Sequence, residues 1–447
     1  MLLPAIVAAP GLVFLFFSVG WLAGWEPRER TVAAATGAAF GAICIAVAVI
    51  FAVMWNSNLA ALRAPLGDWF SVGTYGFPVV LIADRLSLPM IAMTAILAGI
   101  VGSFSRRYMH REKGFLRFFL LLHLFAFGAM LVFTAGSFDL MIGGWELVGI
   151  SSVLLIAFFQ DRPDPVRNAA RVFGFYRVAD LGLLTGIFAL HHSIHPTSFE
   201  KLFPNAWPGP GVNLGTATAT GVGLLFLLAA SGKSAQGPFC GWLPRAMEGP
   251  TPSSAIFYGA ISVHMGAYLL LRVEPMLRAA PIASAAVVVM GAGTALLGTI
   301  SHRVASDAKA SLSLASMTQL GIIFVEIGLG FTWLAVAHIC GHAAVRTLQF
   351  LRAPSMLHDY HRMHSASGGH LETGRRLENL LPATFQAWLY RAGLDRGFVD
   401  AAVDRFVIAP AMGLSRGLGA IEPRRAPASR SRARQAAARQ VAGGADA

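Results

Sequence analysis

The stretch GVGLLFLLAASGKSAQGPFCGWLPRAMEGPT, residues 221–251, decides the fold. An apolar run long enough to enter a bilayer is interrupted by Gly232, Lys233, Gly237 and Pro238, so a membrane helix carries a full positive charge at its break. A lysine at the centre of a membrane helix costs roughly 2.5 to 3.5 kcal/mol, and such residues usually line an ion path or meet a buried acid. Secondary transporters build coupling sites from discontinuous helices of this kind. The stretch therefore predicts that Lys233 takes part in moving protons or cations across a membrane.

The composition is that of a polytopic membrane protein. Of 447 residues, 55% are hydrophobic and 13% are charged, and the mean hydropathy is +0.60, whereas a soluble domain carries about 25% charged residues. The three cysteines have no CxxC spacing, so they indicate no disulfide framework, no iron–sulfur cluster and no zinc knuckle. We predict no cofactor and no metal site. The formal net charge of +12 lies largely in loops and in the tail, where membrane topology explains it without nucleic acid.

Eleven candidate membrane helices follow from counting roughly 20 apolar residues per span. We expect them at about 3–24, 32–54, 78–104, 115–135, 138–159, 172–192, 218–240, 253–274, 280–300, 310–329 and 331–352. The first is interpreted as a retained span, because it lacks the basic n-region and the A-x-A cleavage site of a signal peptide. The predicted fold class is an all-α polytopic membrane protein.

The basic residues concentrate in the odd-numbered connections between these helices. Arg106 and Arg107 lie in one such connection and Arg162 and Arg167 in another, whereas the even-numbered connections are short or nearly neutral. By the positive-inside rule, the N-terminus faces outward and the C-terminus faces the cytoplasm. The predicted location is the inner membrane of a bacterium.

The sequence divides into three predicted regions. A transmembrane domain covers 1–352, an amphipathic cytoplasmic or interfacial segment covers 353–422, and a basic tail covers 423–447. Between about 380 and 414, apolar residues recur at helical spacing with arginines between them, which indicates a helix on a membrane surface or on a partner. The tail is rich in Arg, Ala and Ser and is predicted to be disordered and attracted to anionic lipid.

Three ionisable residues inside predicted spans are candidates for proton transfer beside Lys233. Glu146 has no opposite charge nearby in the sequence, and it is either a structural acid or a partner of Lys233. Arg177 and Asp180 lie three residues apart and share a helix face. They form either a self-neutralising pair or a second site that competes with Glu146 for the lysine charge.

A polar stripe runs through the last predicted span. His338, His342 and Arg346 fall at i, i+4 and i+8, so all three face one way along a helix. Zinc is not predicted, because the glutamate of an H-E-x-x-H site is missing, and a proton relay by neutral histidines fits better. His264 and Glu326 are further ionisable groups at membrane depth and are secondary candidates.

Several long motifs resemble one known family. The runs GWELVGISSVLLIAFF, YRVADLGLLTGIF, SGKSAQGPFCGWLPRAMEGPTPSSA, SDAKASLSLASMTQLG and HICGHAAVRTLQFL are similar to the antiporter-like membrane subunits of respiratory complex I, above all subunit L, and of Mrp sodium/proton antiporters. The resemblance covers roughly residues 82–352. It implies two inverted five-helix repeats, each with a broken helix. It also implies an acid–lysine pair at Glu146 and Lys233, with relay histidines at His338 and His342.

The sequence departs from the family pattern at several positions. Tyr258 stands where the family usually has a histidine, and Arg346 stands where it has a lysine, so the relay groups differ. Lys309, in the SDAKASLSLASMTQLG motif, is a further secondary candidate. The chain turns polar after Arg352, where the family continues with more spans, so the second repeat is expected to be truncated.

Three functions stay open at this stage. The first is a proton- or Na⁺-translocating subunit of a complex with redox partners, similar to a proton-translocating NADH-quinone oxidoreductase. The second follows from the segments IFYGAISVHMGAYLLLR and AWLYRAGLDRGFVDAAVDRFVIAP, which resemble a DabB-type subgroup that works with a large zinc-bearing cytoplasmic partner in bicarbonate or CO₂ uptake. The third is a non-conducting membrane anchor. No motif indicates catalytic chemistry of the chain's own.

Overall fold

The computed structural model describes residues 2–72, 75–194, 197–367 and 381–403, with isolated positions up to 417. It forms two compact units, residues 1–397 and 398–447. The predicted basic tail lies outside the described residues, as do most positions between 404 and 422. The first unit contains α1 (Leu2–Leu22), α2 (Glu29–Asn56), β1 (Ala61–Val72), β2 (Tyr75–Asp84), α3 (Ser87–Tyr108), α4 (Phe115–Thr134), α5 (Phe138–Ile156), α6 (Pro163–Ser193), α7 (Phe199–Leu202), α8 (Thr216–Lys233), α9 (Trp242–Arg245), α10 (Thr251–Ser254), α11 (Met265–Arg272), α12 (Glu274–Arg278), α13 (Pro281–Arg303), α14 (Ala308–Gly328), α15 (Thr332–Ser367) and α16 (Ala383–Leu394), and the second contains α17 (Val399–Val403).

The prediction of a helical membrane bundle is confirmed. Among the residues that the structure describes, nine helices are long and apolar enough to cross a membrane. The expected number of eleven is not confirmed, because α8 and α15 are not among the nine. The apolar run of α8 stops at Lys233 after 18 residues, and α15 is 36 residues long and rich in His and Arg. Helix α15 also continues through residue 352, where we expected the membrane domain to end.

The expected span at 78–104 was wrong at its beginning. Residues 75–84 form strand β2, which pairs with β1 as an antiparallel hairpin, and helix α3 begins only at Ser87. The Asp84 carboxylate explains this boundary, because its Oδ1 accepts hydrogen bonds from the backbone N–H groups of Leu86 (3.0 Å) and Ser87 (2.8 Å). A side-chain acceptor at this position satisfies amides that have no partner within the helix.

The loops of the bundle gather at two ends. At the end that carries the hairpin, which we call the hairpin end, the Gly136 N–H donates to Val80 O (2.9 Å) and the Phe199 N–H donates to Gly136 O (3.0 Å). At the opposite, basic end, the Tyr108 hydroxyl lies 3.1 Å from that of Thr251. The even-numbered connections therefore share one end of the bundle and the basic connections share the other.

A buried ion pair fixes the hairpin end. Arg272, at the end of α11, donates to both carboxylate oxygens of Asp84 and also to the Tyr268 hydroxyl (3.0 Å). The two charged side chains are only 2% and 4% exposed. Burial raises the pKa of the Asp84 carboxyl, but Arg272 and the Ser87 hydrogen bonds outweigh burial and hold this pKa below its usual value. The pair thus joins the hairpin to the helix that follows the central break.

Helix α8 lies unusually close to α6. A Cβ atom added at Gly232 would stand 2.1 Å from the Cβ of Ala179, which is far too close for two carbon atoms that are not bonded to each other. The last turn of α8, which carries Lys233, is therefore held against α6 by the absence of a side chain.

The chain between α8 and α11 is broken into short pieces. It contains 3₁₀ turns at Phe239–Gly241, Ala246–Glu248 and Ser262–His264, the short helices α9 and α10, and a π-helical segment at Ala255–Ala260. The composite span Thr251–Arg272 is completely buried. Irregular backbone at membrane depth is tolerated where protein or trapped water satisfies its polar groups, so the predicted break extends into the following span.

The first prediction concerns the α6–α8 contact. Gly232→Ala should lower the melting temperature in detergent, because overpacking at a rigid backbone contact typically costs about 1–3 kcal/mol. Gly221→Ala is the matched control, since it lies on the same helix and its added methyl would meet nothing within 4 Å. Equal melting temperatures for both variants would contradict this packing.

The second prediction concerns the buried ion pair. Asp84→Asn should destabilise the protein by about 3–5 kcal/mol, because it leaves the Arg272 guanidinium buried without a countercharge. Adding Arg272→Met should recover much of this loss. Glu200→Gln, which removes the exposed pair between Arg63 and Glu200, should have little effect. Denaturant titration of the purified protein measures all three variants against the parent, and a harmless Asp84→Asn would refute the assignment.

Candidate functional site

Lys233 is completely buried at the last residue of α8. Its Nζ donates a hydrogen bond to the backbone carbonyl of Trp145 on α5 (3.1 Å). The same ammonium lies 4.2 Å from the ring centroid of Tyr176 and 5.3 Å from that of Trp145. Aromatic faces attract a cation most strongly where water is excluded. A carbonyl dipole and two π faces therefore surround the lysine charge.

Gly149, one turn after Trp145 on α5, makes room for this ammonium. A Cβ atom at this position would lie 2.7 Å from Lys233 Nζ, closer than a van der Waals contact allows. The position of the charge thus depends on a residue without a side chain.

The acids near Lys233 are held by an arginine. Arg177 on α6 forms an ion pair with Glu146 on α5 and a second one, of 2.8 Å, with Asp180. Asp180 also accepts a hydrogen bond from the indole N–H of Trp145 (2.6 Å). We call Glu146, Arg177, Asp180 and Lys233 the lysine cluster.

The cluster departs from the expected pairing of Glu146 with Lys233. In the described part of the chain, no carboxylate oxygen lies within 4 Å of Lys233 Nζ, and Glu146 contacts Arg177 instead. Trp145 stands between the lysine and Asp180, since its carbonyl accepts from one and its indole donates to the other. The pair of Arg177 with Asp180 on one helix face is present, but it also includes Glu146.

A second group, the histidine cluster, joins the broken span to α14 and α15. His264 Nε2 and His342 Nδ1 lie 2.9 Å apart, and Arg346 Nε donates to His342 Nε2 (3.4 Å). His338, one turn earlier on α15, lies 2.9 Å from a carboxylate oxygen of Glu326. The primary and secondary candidates of the later helices, apart from Lys309 and Tyr258, therefore meet in one place.

The two clusters are joined by a hydrogen bond between their sequence neighbours. The hydroxyl of Ser234, next to Lys233, donates to the carbonyl of Val263, next to His264 (2.6 Å). A Cβ atom on Gly266 would stand 2.3 Å from Ala230 O, so the broken span lies directly against α8.

Among the residues that the structure describes, several buried hydroxyl groups in this region have no hydrogen-bond partner. They belong to Tyr176, Ser254, Tyr258 and Ser262. The Tyr176 hydroxyl lies close to that of Ser262, although neither makes a hydrogen bond of ordinary geometry. Buried polar groups without a protein partner are usually satisfied by internal water.

The remaining candidates lie at the margins of the clusters. The Tyr258 ring packs 5.7 Å from that of Trp242, which in turn packs 5.3 Å from Tyr176. Lys309 is the second residue of α14 and lies at the basic end, far along the helix from Glu326. The described residues contain no group of three or more His, Cys, Asp or Glu side chains that could hold a metal ion.

Sequence reasoning missed several participants. Gln319 accepts at 3.0 Å from the second ring nitrogen of His338, and its spacing of seven residues from Glu326 is a signal that helical periodicity could have identified. A second acid–histidine contact, between Asp139 and His191 (2.7 Å), joins α5 to α6 near the hairpin end, where the Thr197 hydroxyl also donates to Asp139. No local signal links residues so far apart in the sequence.

Two family models match the chain. One, described as NADH:quinone oxidoreductase/Mrp antiporter, TM, matches residues 135–392. The other, described as NADH-Ubiquinone oxidoreductase (complex I), chain 5 N-terminus, matches residues 69–119. The first match covers more than half of the chain and includes every member of both clusters.

Curated relatives are named as subunits of NADH- or NAD(P)H-quinone oxidoreductases. The chain is 33% identical over 298 residues to NADH-quinone oxidoreductase subunit L of Campylobacter jejuni, covering 67% of this chain and 48% of the relative. It is 32% identical over 326 residues to the chloroplastic NAD(P)H-quinone oxidoreductase subunit 5 of Nephroselmis olivacea, covering 72% and 50%. The chain thus spans about half the length of the curated relatives it matches.

Solved structures share the fold. The Mrp complex from Dietzia sp. DQ12-45-1b matches with a TM-score of 0.65 and 24% identity, covering 77% of this chain and 37% of that chain. The membrane-bound sulfane sulfur reductase, an archaeal respiratory membrane complex, matches with a TM-score of 0.66 and 16% identity, covering 78% and 70%. At these identities the likeness shows the fold alone.

Proposed function

Because the chain belongs to the family of membrane subunits described as NADH:quinone oxidoreductase/Mrp antiporter, we propose that it carries protons across a membrane as one subunit of a larger complex. Apart from Arg177 and Arg346, the ionisable side chains of both clusters are lysine, histidine and carboxylate groups. These groups exchange protons, whereas a Na⁺ site would need a cage of oxygen ligands. Protons are therefore the favoured ion.

The observation that carries this proposal is the buried ammonium of Lys233 beside two carboxylates that another cation already holds. An ammonium next to a free carboxylate keeps its proton more tightly than one that faces only a carbonyl and aromatic rings. Movement of Arg177 away from Asp180 would release this carboxylate toward Lys233. The lysine would then bind a proton in one arrangement and release it in the other.

Arg177 is the member of the cluster that can be moved from outside. Its side chain is 38% exposed and that of Glu146 is 26% exposed, whereas Asp180 is almost completely buried. A neighbouring subunit that contacts this surface would bias the position of the guanidinium. A partner that moves the Arg177 guanidinium would therefore change the proton affinity of Lys233.

The proposed route continues from Lys233 to the histidine cluster. The Tyr176 ring lies 4.2 Å from Lys233 Nζ, and its hydroxyl lies close to that of Ser262, two residues before His264. Internal water there would connect the two clusters by hydrogen bonds. From His264 the proton would pass to His342, 2.9 Å away. Transfer over such distances requires only small rotations of the imidazole rings.

We extend the proposal to orientation and partners. The basic end faces the cytoplasm of a bacterium, and the hairpin end faces outward. Helix α16 lies at the basic end, because its Gly393 packs against Val304 beyond α13. Phe385, Trp388 and Tyr390 of this helix are exposed, so the helix is suited to lie at the membrane interface or to bind a cytoplasmic partner. The proposed partners are redox subunits or a large zinc-bearing cytoplasmic subunit. The main alternative function is that of a membrane anchor subunit that does not conduct protons.

The third prediction tests the role of Lys233. Lys233→Ala should reduce proton flux in proteoliposomes by roughly 100-fold, the usual contribution of a positioned proton-transfer group. The flux is followed with a pH-sensitive dye inside vesicles that contain the purified complex, under an imposed potassium diffusion potential. Lys113→Ala, in an exposed basic loop, should leave the flux unchanged. Parent-like flux in Lys233→Ala at equal folded yield would favour the anchor.

A companion variant moves the charge without removing it. Gly149→Ala should displace the ammonium from the Trp145 carbonyl and lower the flux. Gly143→Ala, on the same helix, adds a methyl 3.9 Å from Leu131, an ordinary contact, and should behave like the parent. Comparable flux in the two alanine variants would mean that the position of Lys233 is unimportant for transport.

The fourth prediction tests the histidine relay. His264→Asn and His342→Asn should each lower the flux, and the double variant should lower it little further, because both residues serve one path. His123→Asn is the control, since His123 is buried on α4 and contacts Thr36 (3.0 Å), outside both clusters. Additive losses, or an equal loss in the His123 variant, would count against a shared path.

A further inference from the structure

A groove of about 890 Å³ opens between α2, α3 and the beginning of α15, away from both clusters. Helix α2 contributes Cys44, Val47 and Phe51, and α3 contributes Leu88 and Ile96. Nearly all of its lining is apolar. An apolar groove on the surface of a membrane bundle is open to the acyl chains of lipid.

The dimensions of the groove fit one leaflet of a bilayer. Its lining on α2 extends from Cys44 to Trp55, which is about 16 Å at 1.5 Å per residue. This length is close to half of the hydrocarbon core, which is about 30 Å thick. The groove therefore runs from the hairpin end to the middle of the membrane.

The mouth of the groove carries one unneutralised positive charge. Arg85 is exposed at the rim, and in the described part of the chain no acidic side chain pairs with it. The neighbouring Asp84 does not neutralise Arg85, because both oxygens of the Asp84 carboxylate accept hydrogen bonds from Arg272. Asn58, also at the rim, supplies a neutral amide. A phosphate group is the natural complement of such a free guanidinium.

Two tryptophans indicate the depth at which the mouth of the groove lies in the bilayer. Trp55 is 76% exposed and Trp333 is 52% exposed, and both line the groove. Tryptophan side chains prefer the headgroup level of a bilayer. Arg85 thus lies where lipid phosphates are found.

The wall of the groove is preformed. The Trp333 ring packs edge-on against Trp207 (5.6 Å between centroids), and the Trp207 indole N–H donates to Leu271 O (2.7 Å). Trp333 is therefore supported by the protein on the side that faces away from the groove.

We propose that this groove is a binding site for an anionic phospholipid from the leaflet at the hairpin end. One acyl chain fills the groove along α2 and α3, and the phosphate is held by Arg85. The site is independent of the proton route, so it stands whether or not the chain conducts.

The test uses full-length protein in nanodiscs of equal parts phosphatidylglycerol and phosphatidylcholine, with a photoactivatable diazirine on the acyl chain of one lipid at a time. Mass spectrometry of the crosslinked peptides should place phosphatidylglycerol on residues 44–59 and 88–96 in excess over phosphatidylcholine. Arg85→Gln should reduce this excess about fivefold, the effect of one basic residue near a bilayer surface. Arg63→Gln removes a cation at the same end of the molecule outside the groove, and it should leave the excess unchanged.

A groove-filling variant separates the site from surface charge alone. Ala48 is exposed on the groove wall, so Ala48→Phe fills the groove without disturbing the buried core. It should remove the crosslinks at both segments and leave crosslinks elsewhere intact. Equal labelling by the two lipids, or labelling that survives Ala48→Phe, would overturn the proposal. So would lipid adducts on a co-purified subunit in place of adducts on these two segments.

Discussion

The buried charge of Lys233 is the constraint on which the rest of the bundle depends. A lysine ammonium inside a membrane protein is costly unless nearby groups replace its hydration. Here they are the Trp145 carbonyl and the ring faces of Tyr176 and Trp145. A carbonyl and an aromatic ring stabilise a cation, but they do not accept its proton. The site therefore stabilises the charge, and in the proposed function other groups would exchange the proton.

The lysine cluster is balanced in charge, and this balance links proton movement to structure. Glu146 and Asp180 offset Arg177 and Lys233 when all four are ionised. Gain or loss of one proton leaves an unpaired charge in a medium of low dielectric constant, so it is favourable only if a charge nearby moves as well. In the proposed function, the histidine cluster, which the Ser234–Val263 hydrogen bond joins to the lysine cluster, would hold the compensating proton.

Residues close in the sequence were predicted well, and contacts between distant helices were not. The glycines and the proline around Lys233 predicted the break, and helical spacing predicted the shared face of His338, His342 and Arg346, because both depend only on local backbone geometry. The partner of Glu146 could not be predicted in this way, because it depends on how α5 and α6 are rotated about their axes. The β hairpin was missed for a different reason. The apolar composition of residues 78–86 fits a strand as well as a membrane helix.

The broken backbone between α8 and α11 is what allows the two clusters to coexist. The Val263 carbonyl, which accepts from Ser234, lies in the 3₁₀ turn that follows the π-helical segment. The same turn places His264 against His342 of α15. Close packing at Gly266 holds this irregular segment against α8. The last turn of α8 and the segment that carries His264 are therefore linked by direct packing and by one hydrogen bond, and this link would couple the two clusters in the proposed proton route.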